Sequence, residues 1–338
     1  MPRAFITGAS GFVGPWLCQA LLEGGWEVVA GSHTPEPASA ESLDSGFRRN
    51  DEGAALDSGF RRNDGDSIRS VPCDVRDSEQ LARVLNDARP DAIFHLAGVS
   101  YVPSANADPG SALEVNVSGA ARLVAVVAEM RAAGTADPIV LVVGSGLQYG
   151  AHAPDRIPLG EYTPQEPRDV YAASKAAQEQ MALAAWRGQG VRVIAVRSFN
   201  HSGPGQPPHF LLPRLVRDAL ALRASGGKTL QIGNVASVRD FLHVADVARA
   251  YVALAERGEA GEAYNVASGK GHRADEVAER VLALVGVDAR LDVQAALQRA
   301  ADVPLLVGDA AKLRAATGWS PRHSFDTIIE DMIRAASR

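Results

Sequence analysis

The chain has 338 residues, 46% of them hydrophobic and 22% charged, which fits one large α/β domain or two smaller ones around a sizeable core. Its formal net charge of −6 supplies no basic field for nucleic acid, and its two cysteines, Cys18 and Cys73, lack metal-ligand spacing and read as buried thiols of a reducing cytosol. No apolar run approaches the ~20 residues of a membrane-spanning helix, and a strand-like start leaves no room for a signal peptide, so a cytoplasmic protein without a membrane partner is expected.

Residues 3 to 14 read Arg-Ala-Phe-Ile-Thr-Gly-Ala-Ser-Gly-Phe-Val-Gly, a short apolar strand running into Gly8, Gly11 and Gly14 ahead of a helix-like Trp16 to Leu22. Glycines at this spacing between strand and helix permit a tight turn and let the backbone approach a pyrophosphate at the helix N-terminus. Ser10, Phe12 and Val13 complete the candidate cofactor turn. A second strand, Trp26 to Ala30, runs into Gly31-Ser32-His33 without the acid that usually holds the ribose hydroxyls of NAD, which tilts the cofactor toward NADP(H) and leaves NAD(H) possible.

Leu43-Asp44-Ser45-Gly46-Phe47-Arg48-Arg49-Asn50-Asp51 recurs as residues 56 to 64. Two polar copies are too few for a solenoid, so residues 34–67 read as a surface insertion. An arginine of these copies folding back onto a 2′-phosphate is the functional alternative. The core resumes with the strand Ile68 to Val75, whose Asp74 and Val75 could meet an adenine, and with Asp91 to Gly98, a buried strand closing on Leu96, Ala97 and Gly98. Small residues there let a ligand pass above the sheet. A long helix from about Ala112 to Ala133 carries Asn116, read as a scaffold hydrogen-bonder, and His95 reads as a core histidine.

The strand Ile139 to Val143 ends in Gly144-Ser145-Gly146, and a helix with Tyr171 and Lys175 follows, then the strand Val191 to Arg197. Residues four apart share a helix face, so the ammonium of Lys175 can favour the phenolate of Tyr171 and tune it toward acid-base work. Taken alone, the pair reads as ordinary helix surface, and only the motifs around it favour the acid-base role. Strands alternating with helices at this spacing predict a parallel, doubly wound sheet. Residues 1–197 form the cofactor-binding part and 198–338 mainly a smaller, mixed α/β substrate lobe, with 240–266 expected to return to the main sheet. No histidine has a partner at metal-ligand spacing, so no metal is expected.

Together the glycine turn, His95-Leu96-Ala97-Gly98, the Ser145/Tyr171/Lys175 set and Arg239-Asp240-Phe241-Leu242-His243 resemble the extended, nucleotide-sugar branch of the short-chain dehydrogenase/reductases, a Rossmann fold. The resemblance implies that Tyr171 is the general acid-base, that Ser145 holds the reacting oxygen, and that Lys175 holds the nicotinamide ribose and lowers the Tyr171 pKa. The 4,6-dehydratases of the branch carry Thr-x-Glu where this chain has Ser145-Gly146-Leu147, so elimination lacks its base. Phe199-Asn200-His201-Ser202-Gly203-Pro204-Gly205-Gln206 is similar to GDP-4-keto-6-deoxy-mannose reductases. That similarity implies reduction of a GDP-linked 4-keto sugar, with Gly146, Asn200, Arg239 and Arg299 on the substrate and a homodimer formed through the Asn116 and Tyr171 helices. The alternatives are a nucleotide-sugar 4-epimerase with retained NAD and a non-catalytic NADP(H)-binding regulator.

Overall fold

A computed structural model describes residues 1–33, 68–297 and 303–337. The repeated segment and Arg299 lie outside the described residues. Seven parallel strands form the main sheet: β1 (Arg3–Thr7), β2 (Glu27–Ser32), β3 (Ile68–Pro72), β4 (Ala92–His95), β5 (Ile139–Ser145), β6 (Val193–Ser198) and β10 (Ala263–Val266). Their order is β10-β6-β5-β4-β1-β2-β3, so the chain reverses direction between β1 and β4, where open α/β sheets bind ligands at the carboxyl ends of the strands.

Alternation along these strands decides which helices cover each face. Ile6, Phe94, Leu141 and Val196 point to the side closed by α1 (Gly14–Glu23) and by the helix Val244–Arg257. Phe5, Ile93, Val140 and Ala195 point to the side closed by α2 (Ser78–Ala88), α5 (Gly119–Ala132) and α6 (Val170–Gln189). Between α2 and α5 lie two short helices, α3 (Val102–Ala107) and α4 (Pro109–Leu113).

The long helix expected from residue 112 is not regular. A π-helical turn, Glu114–Ser118, joins α4 to α5 around Asn116, whose amide bonds Val99 of the loop after β4 and Ser174 of α6. Side-chain anchoring of this kind is a usual place for a π-bulge. The whole run Pro109–Ala132 is long and apolar enough to cross a bilayer by length and composition, contrary to the expectation from the sequence. Its Leu123, Val124, Val126, Val127 and Met130 are core residues against the sheet, which accounts for the apolar stretch.

The C-terminal part builds a second, smaller layer. β9 (Val238–His243) is flanked by β11 (Gly271–Arg273) and β13 (Leu305–Leu306) and also pairs in parallel with β7 (Asn200–Ser202). β8 (Thr229–Ile232) pairs in parallel with β12 (Arg290–Val293). Three helices, α7 (Leu211–Ser225), α9 (Ala274–Val285) and α11 (Phe325–Ala336), pack Leu215, Val281, Ile329 and Phe241 into a separate core. The helix Val244–Arg257, α8, leaves β9 and lies on the main sheet, and β10 pairs with β6.

Candidate active site

The carboxyl edge of the main sheet gathers most of the residues singled out from the sequence. Gly8 follows β1 with φ +70°, and a Cβ there would come within 2.7 Å of the Ala97 backbone, so the turn after β1 and the strand end at Ala97 can touch only through glycine. Gly11 N–H donates to Gly8 and Gly14 N–H to Gly11, winding the turn into α1, whose N-terminus carries no side-chain cap. The N-terminal end of a helix, where backbone N–H groups and the helix dipole point outward, is a ready place for phosphate. Phe12 stacks on His201, with centroids 6.1 Å apart and planes 2° apart, and Trp16 one turn later meets His243 edge-on at 5.4 Å. The cofactor turn is thereby braced on β7 and β9, a contact the sequence reading missed although Phe12 and Trp16 stand at i,i+4.

At the ends of β2 and β3, Asp74 forms a forked pair with Arg76, with Nη2 to Oδ2 at 2.7 Å, and His33 Nε2 lies 3.4 Å from the same carboxylate. The Arg76 guanidinium holds the Asp74 carboxyl below its usual range. Val75 is buried beneath, while Leu96 and Ala97 are bound to Thr7 through their N–H groups. Arg76 was not among the residues expected at the site.

Ser145 ends β5 opposite Ser198 of β6. Its hydroxyl accepts the Leu147 N–H at 3.2 Å, which leaves its own hydrogen available to donate outward. Gln148 Oε1 accepts the Ser145 N–H at 2.6 Å, and the other end of that amide donates to Glu179 at 2.8 Å. Glu179 in turn is forked by Arg197, at 2.9 and 2.6 Å, and Arg197 also donates to Tyr149 Oη, which donates to Asn265. All these side chains are buried. This ion-paired network under the Ser145 turn went unread in the sequence, although an arginine at the end of the apolar strand Val193–Arg197 was its signal.

Tyr171 opens α6, capped by Asp169, which accepts the Ala172 N–H at 2.8 Å. The ring packs with Ala105 and Ala112 in a small apolar cluster, which Leu147 joins from the turn after β5. Burial pushes the phenol up to about 12, only partly offset by the Ser145 hydroxyl. The expected lowering by Lys175 is therefore not found. The reason is geometric: the Lys175 ammonium, itself buried and pushed down to about 8, donates to Val143 O and to Gln178 Oε1, both at 2.8 Å, rather than to the phenol. Gly98 lies over it, since a Cβ there would stand 2.8 Å from Asn116 Oδ1 and 3.2 Å from Lys175 Nζ.

The residues expected on the substrate are more dispersed. Phe199 packs on Gly146, and Asn200 follows it, exposed at the start of β7. Arg239 on β9 is half-buried and donates to Val238 O at 2.8 Å. The neighbouring Asp240 is not its ion-pair partner. That carboxylate is fully buried and accepts from Ser268 N and Oγ, Gly269 N and Gly308 N, tying two loops to β9. The cap on the following helix is supplied by His243, whose Nδ1 accepts the Ala245 N–H.

Residues 5–332 match the family model of GDP-mannose 4,6 dehydratase. GDP-6-deoxy-D-mannose reductase of Pseudomonas aeruginosa is 32% identical over 97% of this chain and 96% of its own length. UDP-glucose 4-epimerase of Azospirillum brasilense is 28% identical over 99% and 91%. Among solved structures, RMD from Pseudomonas aeruginosa complexed with NADPH superposes with a TM-score of 0.79 at 30% identity, covering 99% of this chain and 98% of that one. The dTDP-glucose 4,6-dehydratase DesIV from Streptomyces venezuelae, with NAD bound, gives 0.80 at 27%, covering 99% and 97%.

Proposed function

The chain belongs to the GDP-mannose 4,6 dehydratase family of extended short-chain dehydrogenase/reductases, and from that membership we propose that it is an NAD(P)H-dependent reductase of a GDP-4-keto-6-deoxy-hexose, giving a GDP-6-deoxyhexose of the GDP-D-rhamnose type. The observation that carries this reading is Leu147. The turn beside Tyr171 holds an apolar side chain packed against the ring where elimination needs a carboxylate. Asp169, the acid whose charge reaches the phenol, is engaged in capping α6.

The glycine turn and the open strand end at Gly98 fit a dinucleotide: both are places where a Cβ would fill the space. Gly8, Ser10, Gly11, Phe12, Val13 and Gly14 would hold the pyrophosphate, Asp74 and Val75 the adenine, Leu96, Ala97 and Gly98 the central ribose region, and Lys175 with Tyr171 the nicotinamide ribose. Arg76, beside His33 at the end of β2, supports NADP(H) over NAD(H), because a fixed guanidinium suits a 2′-phosphate. When bound, the nicotinamide supplies the hydride to the sugar carbonyl.

The chain's own residues supply the proton and the charge stabilisation. Burial keeps the Tyr171 phenol protonated at neutral pH, the state that can deliver a proton to an alkoxide developing on the sugar oxygen. Ser145, with its lone pairs engaged by Leu147 N–H, donates to the same oxygen and stabilises its charge as hydride arrives. Ser145 and Gly146 line the sugar, and Asn200, Arg239 and Arg299 hold the diphosphate, for which the arginine fork is suited. In this reading residues 1–197 with α8 and β10 hold the cofactor, and the remainder of 198–338, including β9 and so residues 240–243 that were expected in the main sheet, holds the sugar nucleotide.

A homodimer through α5 and α6 follows from the same reading. Leu113 at the end of α4 and Met181 and Trp186 on α6 are among the large apolar side chains that stay exposed. Incubation with NADPH and the GDP-4-keto sugar should oxidise cofactor in proportion to the sugar reduced. No consumption with NADPH or NADH would sink the reading, and cofactor that co-purifies and is retained unconsumed would point to a 4-epimerase instead.

A further inference from the structure

We propose that Gln178 is a positioning residue of the reduction, whose side-chain carbonyl holds the Lys175 ammonium in place and in its charged form. Gln178 lies on α6 one turn beyond Lys175 and is fully buried. Its Oε1 accepts from Lys175 Nζ at 2.8 Å, while its Nε2 has no hydrogen-bond partner among the described residues. An amide buried with one end unpaired is a poor choice for packing, because a leucine or methionine fills such a space without stranding a donor. The contact with Lys175 is the one polar interaction that explains its presence.

Lys175 needs such an acceptor because no carboxylate among the described residues bonds it. From β4 the facing group is His95, which burial and the Lys175 charge push down to about 3, so it is neutral at working pH. Tyr171 on the same helix is protonated, and Asn116 and Ser174 are uncharged. Glu179, the next residue along, is engaged by Arg197, Gln148 and Gln165. Val143 O and Gln178 Oε1 are thus the two groups that favour the ammonium against its burial, which alone pushes it down to about 8. An ammonium has three donors, and the third remains for a ligand on the Gly98 side. If the anchor at Gln178 is removed, the charged form loses one of its two acceptors and the group loses its direction.

The inference rests on the reading of Lys175 as a ribose ligand, and its test needs no sugar. NADPH binding, followed by fluorescence from about pH 6 to about pH 10, should weaken on a basic limb near the Lys175 value of about 8. Gln178→Leu removes the acceptor and should move that limb down by about one unit, and Gln178→Met, close in shape, should do the same. Gln178→Glu places a carboxylate against the ammonium and should move it up by about one to two units. Opposite signs separate a hold on the ammonium from a mere loss of packing. A wild-type affinity without a basic limb, or variants whose limbs stay with the wild type or all move one way, would overturn the proposal. Absence of turnover with GDP-keto sugars, with the binding limbs shifting as stated, would instead sink the reductase reading and leave the role of Gln178 standing.

Discussion

At the turn after β5, Ser145 rests on Gln148, Glu179 and Arg197, none of them more than 7% exposed, whereas in the β7–β9 arm Asn200 stands exposed and Arg239 is half-buried on the central strand of the smaller layer. The first region fixes hydrogen-bonding atoms against a buried ion pair and leaves them little freedom. The second is tied together by one carboxylate, Asp240, and by the ring contacts of His201 with the glycine turn and of His243 with α1. The groups read as moving a proton are held by the scaffold, and Asn200 and Arg239, read as gripping the diphosphate, lie on the arm. Preorganisation is worth most where charge develops during the reaction, which is what this division provides.

The sharpest way to break the comparison is at the phenol. Tyr171→Phe keeps the apolar cluster with Leu147 and removes the proton donor, so kcat should fall by about 10² to 10⁴ while the Kd for NADPH stays within a factor of a few. A variant that kept its rate would mean that the rigid region is not the chemical one. Next comes the support beneath it. Arg197→Met leaves Glu179 charged and buried, and should cost about 3–5 kcal/mol in urea denaturation. Replacing both partners by apolar residues should recover most of that stability yet lower kcat, because Gln148 Nε2 then has no partner and the amide that braces Ser145 loses its anchor. Full activity in the double variant would show that the turn needs no ion pair.

How much of this was legible from the sequence differs between the two regions. The strand-to-helix glycine turn, the parallel sheet and the residues Ser145, Tyr171 and Lys175 depend on local spacing, and local spacing survives into the fold. The brace under Ser145 does not: Gln148, Glu179, Arg197 and Asn265 come from four elements and meet only because β5, β6 and β10 are neighbours. The tuning of Tyr171 was misread for a related reason. An i,i+4 pair reports that two side chains share a helix face, but the Lys175 ammonium turns toward Val143 O on the strand below, an acceptor that helical spacing alone does not show. Asp240 is likewise invisible to local spacing, since its partners stand 28, 29 and 68 residues away. The Pro109–Ala132 run shows the converse, since apolar length alone does not separate a core helix from a membrane span.

The arm should respond to changes by affinity rather than by rate. Arg239→Ala should raise KM for the GDP-keto sugar by about 10- to 100-fold, equivalent to about 1.5–3 kcal/mol for charge-assisted bonds, with kcat changed much less. Arg239→Lys should recover only part of it, since a point charge does not reproduce the fork. A loss in kcat equal to that in kcat/KM would place Arg239 with the chemical groups and erase the distinction drawn here.

Acid offers the gentlest test, because each region buries one neutral histidine. Burial pushes His243 of the arm down to about 4 and His95 beneath the site down to about 3. Both titrate near 6.5 when unfolded. Between those values the unfolded chain binds more protons than the folded one, so stability falls as pH drops from about 6.5, by at most about 1.4 kcal/mol per pH unit for each histidine. The loss from His243 ends near pH 4, where the folded imidazole itself takes a proton, and that from His95 continues toward pH 3. The arm should therefore be the first region to accept a buried charge, next to His323 stacked at 4.3 Å and with Asp331 Oδ2 3.5 Å away to receive it. His243→Asn, which keeps an acceptor for the cap on Ala245, should flatten the urea-stability slope between about pH 6.5 and about pH 4 relative to the wild type. Hydrogen exchange near pH 4 should open β7 and β9 before the Ser145 turn. Simultaneous opening of both would show that the scaffold under the site and the arm beside it unfold as one unit.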